Sequence, residues 1–120
     1  MKLLIITAIR GFKKEIKTIL KKADVKNYSY KDVIGYRDAS ELSLNENWFS
    51  NDMNEGEAVF FYAFVKKENV DLVFEMVKDF NEKQDTTSTI HLAEINIQAM
   101  YEQQQAQLAE QAAAAAPQVQ

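Results

Sequence analysis

Apolar residues fall along this chain in two rhythms. Leu3 to Ile9 is apolar throughout except for Thr7 and is rich in β-branched residues, which reads as a strand buried on both faces. After Gly11 the period changes. Phe12, Ile16, Ile19, Leu20 and Ala23 recur at helical spacing with Lys13, Lys14, Lys17 and Lys21 on the other side, which predicts an amphipathic helix over 12–24. Tyr28, Tyr30, Ile34 and Tyr36 then alternate with Ser29, Lys31, Gly35 and Arg37, the pattern of a half-exposed strand suited to a sheet edge. A second strongly apolar strand is expected over 57–65. It carries Val59, Phe61, Ala63 and Val65 on one face and Ala58, Phe60, Tyr62 and Phe64 on the other. Val70, Val73, Phe74, Val77 and Phe80 mark a second helix over 67–82, with Asp71, Glu75, Lys78 and Asp79 outward. Thr89 to Ala99 alternates weakly and reads as a fourth strand.

The order is strand, helix, strand, long connection, strand, helix, strand. Two βαβ units of similar length with right-handed crossovers interleave as an α+β, ferredoxin-like βαββαβ sandwich. It has a four-stranded antiparallel sheet with both helices on one face. The first and third strands are central and the second and fourth are edges, which matches the two-sided and mixed patterns. Two helices cover only one face, so the other presents a contiguous apolar patch that a monomer rarely tolerates. Burial at about 25 cal/mol per Å² favours association, so a homo-oligomer is expected.

Length then sets the organisation. The 120 residues give one domain, 1–100, followed by a Gln/Ala-rich tail, 101–120, with seven Gln and seven Ala. The tail has high helix propensity and almost no apolar stripe. There is no cysteine, so disulfide frameworks, thiolate metal sites and cysteine nucleophiles are excluded. A single histidine excludes a multi-histidine metal site within one chain. The net charge of −4 argues against a general nucleic-acid binder. No apolar run approaches the roughly 20 residues of a membrane span. The N-terminal run lacks a small-residue cleavage site, which points to a cytoplasmic protein.

Charge is unevenly placed. Residues 37–57 hold six acids and one base, a net of −5, so the remainder of the chain sums to +1. This connection exceeds the roughly 12 to 15 residues beyond which loops are usually functional or disordered. It carries Glu41, Leu44, Trp48, Phe49 and Asp52, a mixture of acids and large apolar groups suited to docking a protein partner.

Three segments resemble the PII signal-transduction proteins. Arg10-Gly11-Phe12-Lys13-Lys14-Glu15-Ile16 is similar to that family's "KPFK…EV" opening after its first strand. Residues 25–36, from Val25 to Tyr36 with Gly35 near the end, resemble its second strand, "GMTVTEVKGFG". Residues 65–75, from Val65 to Glu75, are similar to "VPDDLVDAVVE" at the start of its second helix. The resemblance covers about residues 1–97 and places 37–57 at the family's protruding T-loop. It implies a trimeric, non-enzymatic regulator that senses a small ligand in clefts between subunits. The T-loop would control a partner, with a membrane transporter as the model. The effector contacts it implies are Gly35, Tyr36, Arg37 and Lys83; the partner contacts are Glu41, Leu44, Trp48, Phe49 and Asp52.

The chain also departs from that family. The loop that reads "TGKIGDGKI" there is Asn81-Glu82-Lys83-Gln84-Asp85-Thr86-Thr87-Ser88-Thr89-Ile90 here, without the glycines that let backbone amides approach phosphates. The C-terminal "RIRTG" and the T-loop "RQKGHTELYRG" have no counterpart. No cofactor or effector is named by these residues. A second reading is a dimeric αβ-barrel type small enzyme or haem-binding protein, with the aromatic strand 58–64 lining a pocket. A third is a scaffold whose tail mediates assembly. His91 with Glu94 is a further candidate for metal or proton transfer, and Lys13, Lys14 and Lys17 for an anion.

Overall fold

The computed structural model describes residues 1–36 and 55–101. Four strands and two helices follow in the expected order: β1 (Lys2–Ile9), α1 (Lys13–Lys22), β2 (Ser29–Tyr36), β3 (Glu55–Val65), α2 (Lys67–Lys83) and β4 (His91–Asn96). A single 3-10 turn, Arg10–Phe12, joins β1 to α1. The sheet order is β2-β3-β1-β4, and every neighbouring pair is antiparallel. The central strands are the two whose sequences are apolar on both faces.

The register sorts the side chains. Leu4, Ile6 and Ala8 of β1 and Val59, Phe61, Ala63 and Val65 of β3 are buried in one cluster with Ile16, Ile19 and Leu20 of α1 and Val70, Val73 and Val77 of α2. Both helices therefore cover one face of the sheet. Phe12 and Phe80 meet edge-to-face at 5.0 Å between centroids and tie the start of α1 to the end of α2. On the opposite face β1 carries Leu3, Ile5 and Thr7, which stand across from Phe64, Tyr62 and Phe60 of β3. Leu3 and Ile5 also stand across from Ile95 and Ala93 of β4. Tyr62, Phe64 and Ile95 remain 42%, 50% and 43% exposed there.

The ends of α1 and α2 are fixed by different devices. Asp24 adopts a left-handed conformation (φ 60°) just past α1. Val25 N–H donates to Leu20 O at 2.9 Å and Asp24 N–H to Lys21 O at 3.1 Å, the paired bonds of a Schellman ending. In the last turn of α2, the Asn81 amide exchanges two hydrogen bonds with the backbone of Ile90.

Some expected boundaries move. The third strand begins at Glu55, two residues before the expected position, so Glu55-Gly56-Glu57 pair with Tyr36-Gly35-Ile34. The fourth strand spans His91–Asn96, shorter than 89–99. The first helix starts at Lys13 because Arg10–Phe12 form the tighter turn. The tail beyond Tyr101 and most of the long connection, 37–54, lie outside the described residues.

Candidate functional site

The C-terminal end of β1 defines one end of the sheet. Ile9 stands across from Ala58, Thr7 across from His91, and Tyr36 across from Glu55. The exit of β2, the entry of β3 and the entry of β4 therefore share this end. Gly35 is buried and faces Gly56 across the β2–β3 pair, while Tyr36 is 66% exposed. Lys83 ends α2 at the same end of the molecule, its ammonium group 3.0 Å from Asp79 Oδ1 and 3.1 Å from Oδ2.

Gly35 and Tyr36 nevertheless sit on one edge strand, and the loop after Lys83 leads into the other. With β3 and β1 between them, the edges are separated by three strand intervals, about 14 Å. Within one copy, the β2 edge with Gly35 and Tyr36 is separated from the β4 edge that the turn after Lys83 enters, although the family resemblance implies both as effector contacts. Arg37, Glu41, Leu44, Trp48, Phe49 and Asp52 lie outside the described residues.

The turn between α2 and β4 is organised by one side chain. Gln84 Nε2 donates to Thr86 O at 2.8 Å and to Ser88 O at 2.6 Å. Its Oε1 accepts from Thr86 N–H at 2.8 Å and from Thr86 Oγ1. Ser88 is buried. A side-chain amide thus satisfies the turn's backbone groups from within, so the turn needs no glycine conformations.

Beside the β2 edge lies a polar cluster that the sequence reading did not assemble. Arg10, at the exit of β1, donates through Nη2 to Val33 O at 3.1 Å. Its guanidinium also lies 3.7 Å from Asp32 Oδ1 and 3.5 Å from Glu57 Oε1. Lys13 Nζ is 2.6 Å from Asp32 Oδ1. The hydrogen bond from Lys13, followed by the charges of Lys13, Arg10 and Lys17, holds the Asp32 carboxyl below its ordinary pKa. One turn along α1, Lys17 Nζ donates to Tyr30 Oη at 3.1 Å and stands 4.2 Å from the centre of its ring. That hydrogen bond lowers the Tyr30 pKa and raises that of Lys17.

Lys13 and Lys17 are therefore engaged by β2 and do not form a free anion-binding row. Strand parity held the signal for this cluster: Asp32 shares the face of Tyr28 and Tyr30, toward which the α1 lysines project. His91 and Glu94 are likewise not brought together. Three residues apart on a strand, they point to opposite faces. Glu94 bonds Lys67 of α2 at 2.8 Å, whereas His91 lies beside Thr89 Oγ1 at 3.3 Å. Among the described residues no group of three His, Cys, Asp or Glu is placed to hold a metal ion. No described helix is long and apolar enough to cross a membrane.

Solved structures of one protein match this arrangement along most of its length. CPII, a nitrogen regulatory PII-like protein from Thiomonas intermedia K12, superposes in its apo form with a TM-score of 0.55 and 22% identity over 80% of this chain and 89% of that one. The same protein bound to ADP, AMP and bicarbonate gives 0.54 and 18% over 83% and 94%. Bound to ADP and bicarbonate, it gives 0.53 and 18% over 80% and 86%. The chain has the PII-like fold. No family model and no curated protein matches its sequence. The shared end of the sheet is where β2 and β3 lead into the long connection.

Proposed function

We propose that this protein is a PII-like, non-enzymatic regulator that assembles as a homotrimer and responds to a small ligand bound between subunits. One observation carries the reading. Gly35 and Tyr36 on the β2 edge and Lys83 at the end of α2 lie toward the same end of the sheet, but the turn after Lys83 leads to β4, the opposite edge, so a neighbouring copy would be needed to unite the β2 edge of one subunit with Lys83 and the Gln84 turn of the next. The exposed apolar face with Tyr62, Phe64 and Ile95 supplies the reason to associate.

The ligand-dependent output is carried by 37–57, with Glu41, Leu44, Trp48, Phe49 and Asp52 as partner contacts. Its net −5 charge complements a basic surface, such as the cytoplasmic side of a membrane transporter, and steers the encounter. The ligand shifts the loop only by its differential affinity for two loop states. ADP and bicarbonate are the first probes, since the structurally similar CPII was solved with both.

The test is a calorimetric titration of the full chain with ADP, with and without bicarbonate, alongside limited proteolysis of 37–57. Saturable binding that changes cleavage in this segment supports the reading. A trimer that binds neither probe, with unchanged cleavage, removes these ligands from it. A species that is not a trimer removes the cleft itself.

A further inference from the structure

The two helices treat their lysines differently. On α2, Lys67 pairs with Asp71 and Lys83 with Asp79, each across one helical turn. On α1, lysine follows lysine: Lys13, Lys17 and Lys21 are spaced by four, with Lys14 and Lys22 beside them. Like charges at that spacing repel, and Lys14 also stands in the first turn, where the helix dipole disfavours a cation. Lys14, Lys21 and Lys22 are exposed, and their ammonium groups have no partner among the described residues. Lys26, just past the helix, approaches only Asp24, at 3.9 Å, and joins Lys14, Lys17 and Lys21 around one shallow recess.

Charge along the chain is segregated to match. Residues 10–26 hold seven bases and two acids, a net of +5, while the rest of the chain sums to −9. The molecule is an acidic protein with one basic face, formed by the outward side of α1 and the turn after it. That face is convex. From Lys14 to Lys22 the helix rises about 12 Å, and its five lysines spread around about half its circumference. Stems splayed in this way do not converge on one small anion; they reach a surface that presents many.

We propose that the outward face of α1 binds an anionic lipid surface, with headgroups in the plane of the bilayer meeting Lys14, Lys21, Lys22 and Lys26 together. A cluster of four or more lysines on one amphipathic helix suits such a surface. A plane can meet this face alone, whereas a flexible polyanion that folds round the protein also meets the acidic remainder. A single-stranded nucleic acid would in addition need free aromatic faces for its bases. The exposed ring beside the lysines, Tyr30, is already engaged: it stacks on Phe61 at 5.2 Å and lies under the Lys17 ammonium group at 4.2 Å. The basic face is on the helix layer, so it is independent of the cleft between subunits and of the sheet face through which copies associate.

The test is flotation of the full-length protein with vesicles of phosphatidylglycerol and phosphatidylcholine in equal parts, at about 0.1 M salt, where charges act over roughly 10 Å. The protein should float with these vesicles, remain behind with phosphatidylcholine alone, and be released as salt rises. Each lysine near an anionic surface is worth about a fivefold change in binding. Lys14→Gln, Lys21→Gln and Lys22→Gln combined should therefore weaken binding about a hundredfold. The same change of charge made at Lys2, Lys66 and Lys78 should leave it little altered. An unchanged circular dichroism spectrum shows that each variant remains folded. No flotation with the anionic vesicles overturns the proposal, as does an equal loss from the two triple variants. Tighter binding to a DNA or RNA oligonucleotide than to the vesicles overturns it in favour of a nucleic acid.

Discussion

The Asn81 side chain pairs with the backbone of Ile90 as a strand would. Nδ2 donates to Ile90 O at 3.0 Å, and Oδ1 accepts Ile90 N–H at 2.8 Å. This reciprocal pair ties the last turn of α2 to the entry of β4, where Ile90 itself is buried. Removing it strands two partly buried backbone groups, and each unmet group costs about 1–3 kcal/mol. Asn81→Ala should therefore lower unfolding stability by about 2–4 kcal/mol. Asn81→Asp, which keeps the acceptor but not the donor, should lose less. Urea denaturation of the three proteins checks this order, and an Asn81→Ala midpoint equal to that of the native protein would show the pair to be inert.

A single backbone change is expected to stabilise the fold. Asp24 holds the left-handed position that closes α1, where glycine has no Cβ penalty. Its side chain reaches only an exposed Lys26 at 3.9 Å, a contact of little worth. Asp24→Gly should raise stability by about 0.5–1 kcal/mol after the added unfolded-state entropy is subtracted. Thermal melts read this directly; a lower Tm for Asp24→Gly would contradict it.

The cluster around Asp32 gives an acid dependence of known sign. Lys13, Arg10 and Lys17 lower the folded-state pKa of Asp32, so it favours the folded state above its unfolded value near 3.9. That contribution fades as pH falls through the depressed folded value. Asp32→Asn should flatten the acid limb of the stability profile below about pH 4 and leave its shape near neutrality unchanged. Denaturation midpoints from pH 2 to 7 for both proteins provide the comparison. Parallel acid limbs would mean that the lysine and arginine contacts do not persist in solution.

The open sheet face predicts what holds copies together. Tyr62 and Phe64 are partly exposed on β3, outside the buried core, so a charge there should spare the fold of one copy. Tyr62→Glu and Phe64→Glu should each lower the mass in solution while the circular dichroism spectrum is retained. An unchanged mass for both variants would place the subunit contact elsewhere.

Much of this architecture is written in local pattern. The two-sided apolar runs of Leu3–Ile9 and Ala58–Val65 identified the central strands, because only strands flanked on both sides, with both faces to be covered, need them. The helix stripes were equally plain, since Ile16, Ile19 and Leu20 or Val70, Val73 and Val77 recur at one period. The polar cluster was less legible because its members are brought together by strand register: Arg10 and Asp32 are 22 residues apart, and no local period links them. The early start of β3 was hidden for a related reason. Glu55, Gly56 and Glu57 carry no apolar signal and are held as strand by backbone pairing with Tyr36, Gly35 and Ile34. His91 and Glu94 looked like neighbours by number, yet strand alternation separates them.

Sedimentation equilibrium of the unmodified chain at micromolar concentration bears most directly on whether the exposed apolar face and divided effector residues are completed by neighbouring copies. A single species at three times the 13.8 kDa of one chain is the predicted result. A stable species at one chain mass would contradict shared clefts altogether, and one at twice that mass would favour the αβ-barrel reading instead.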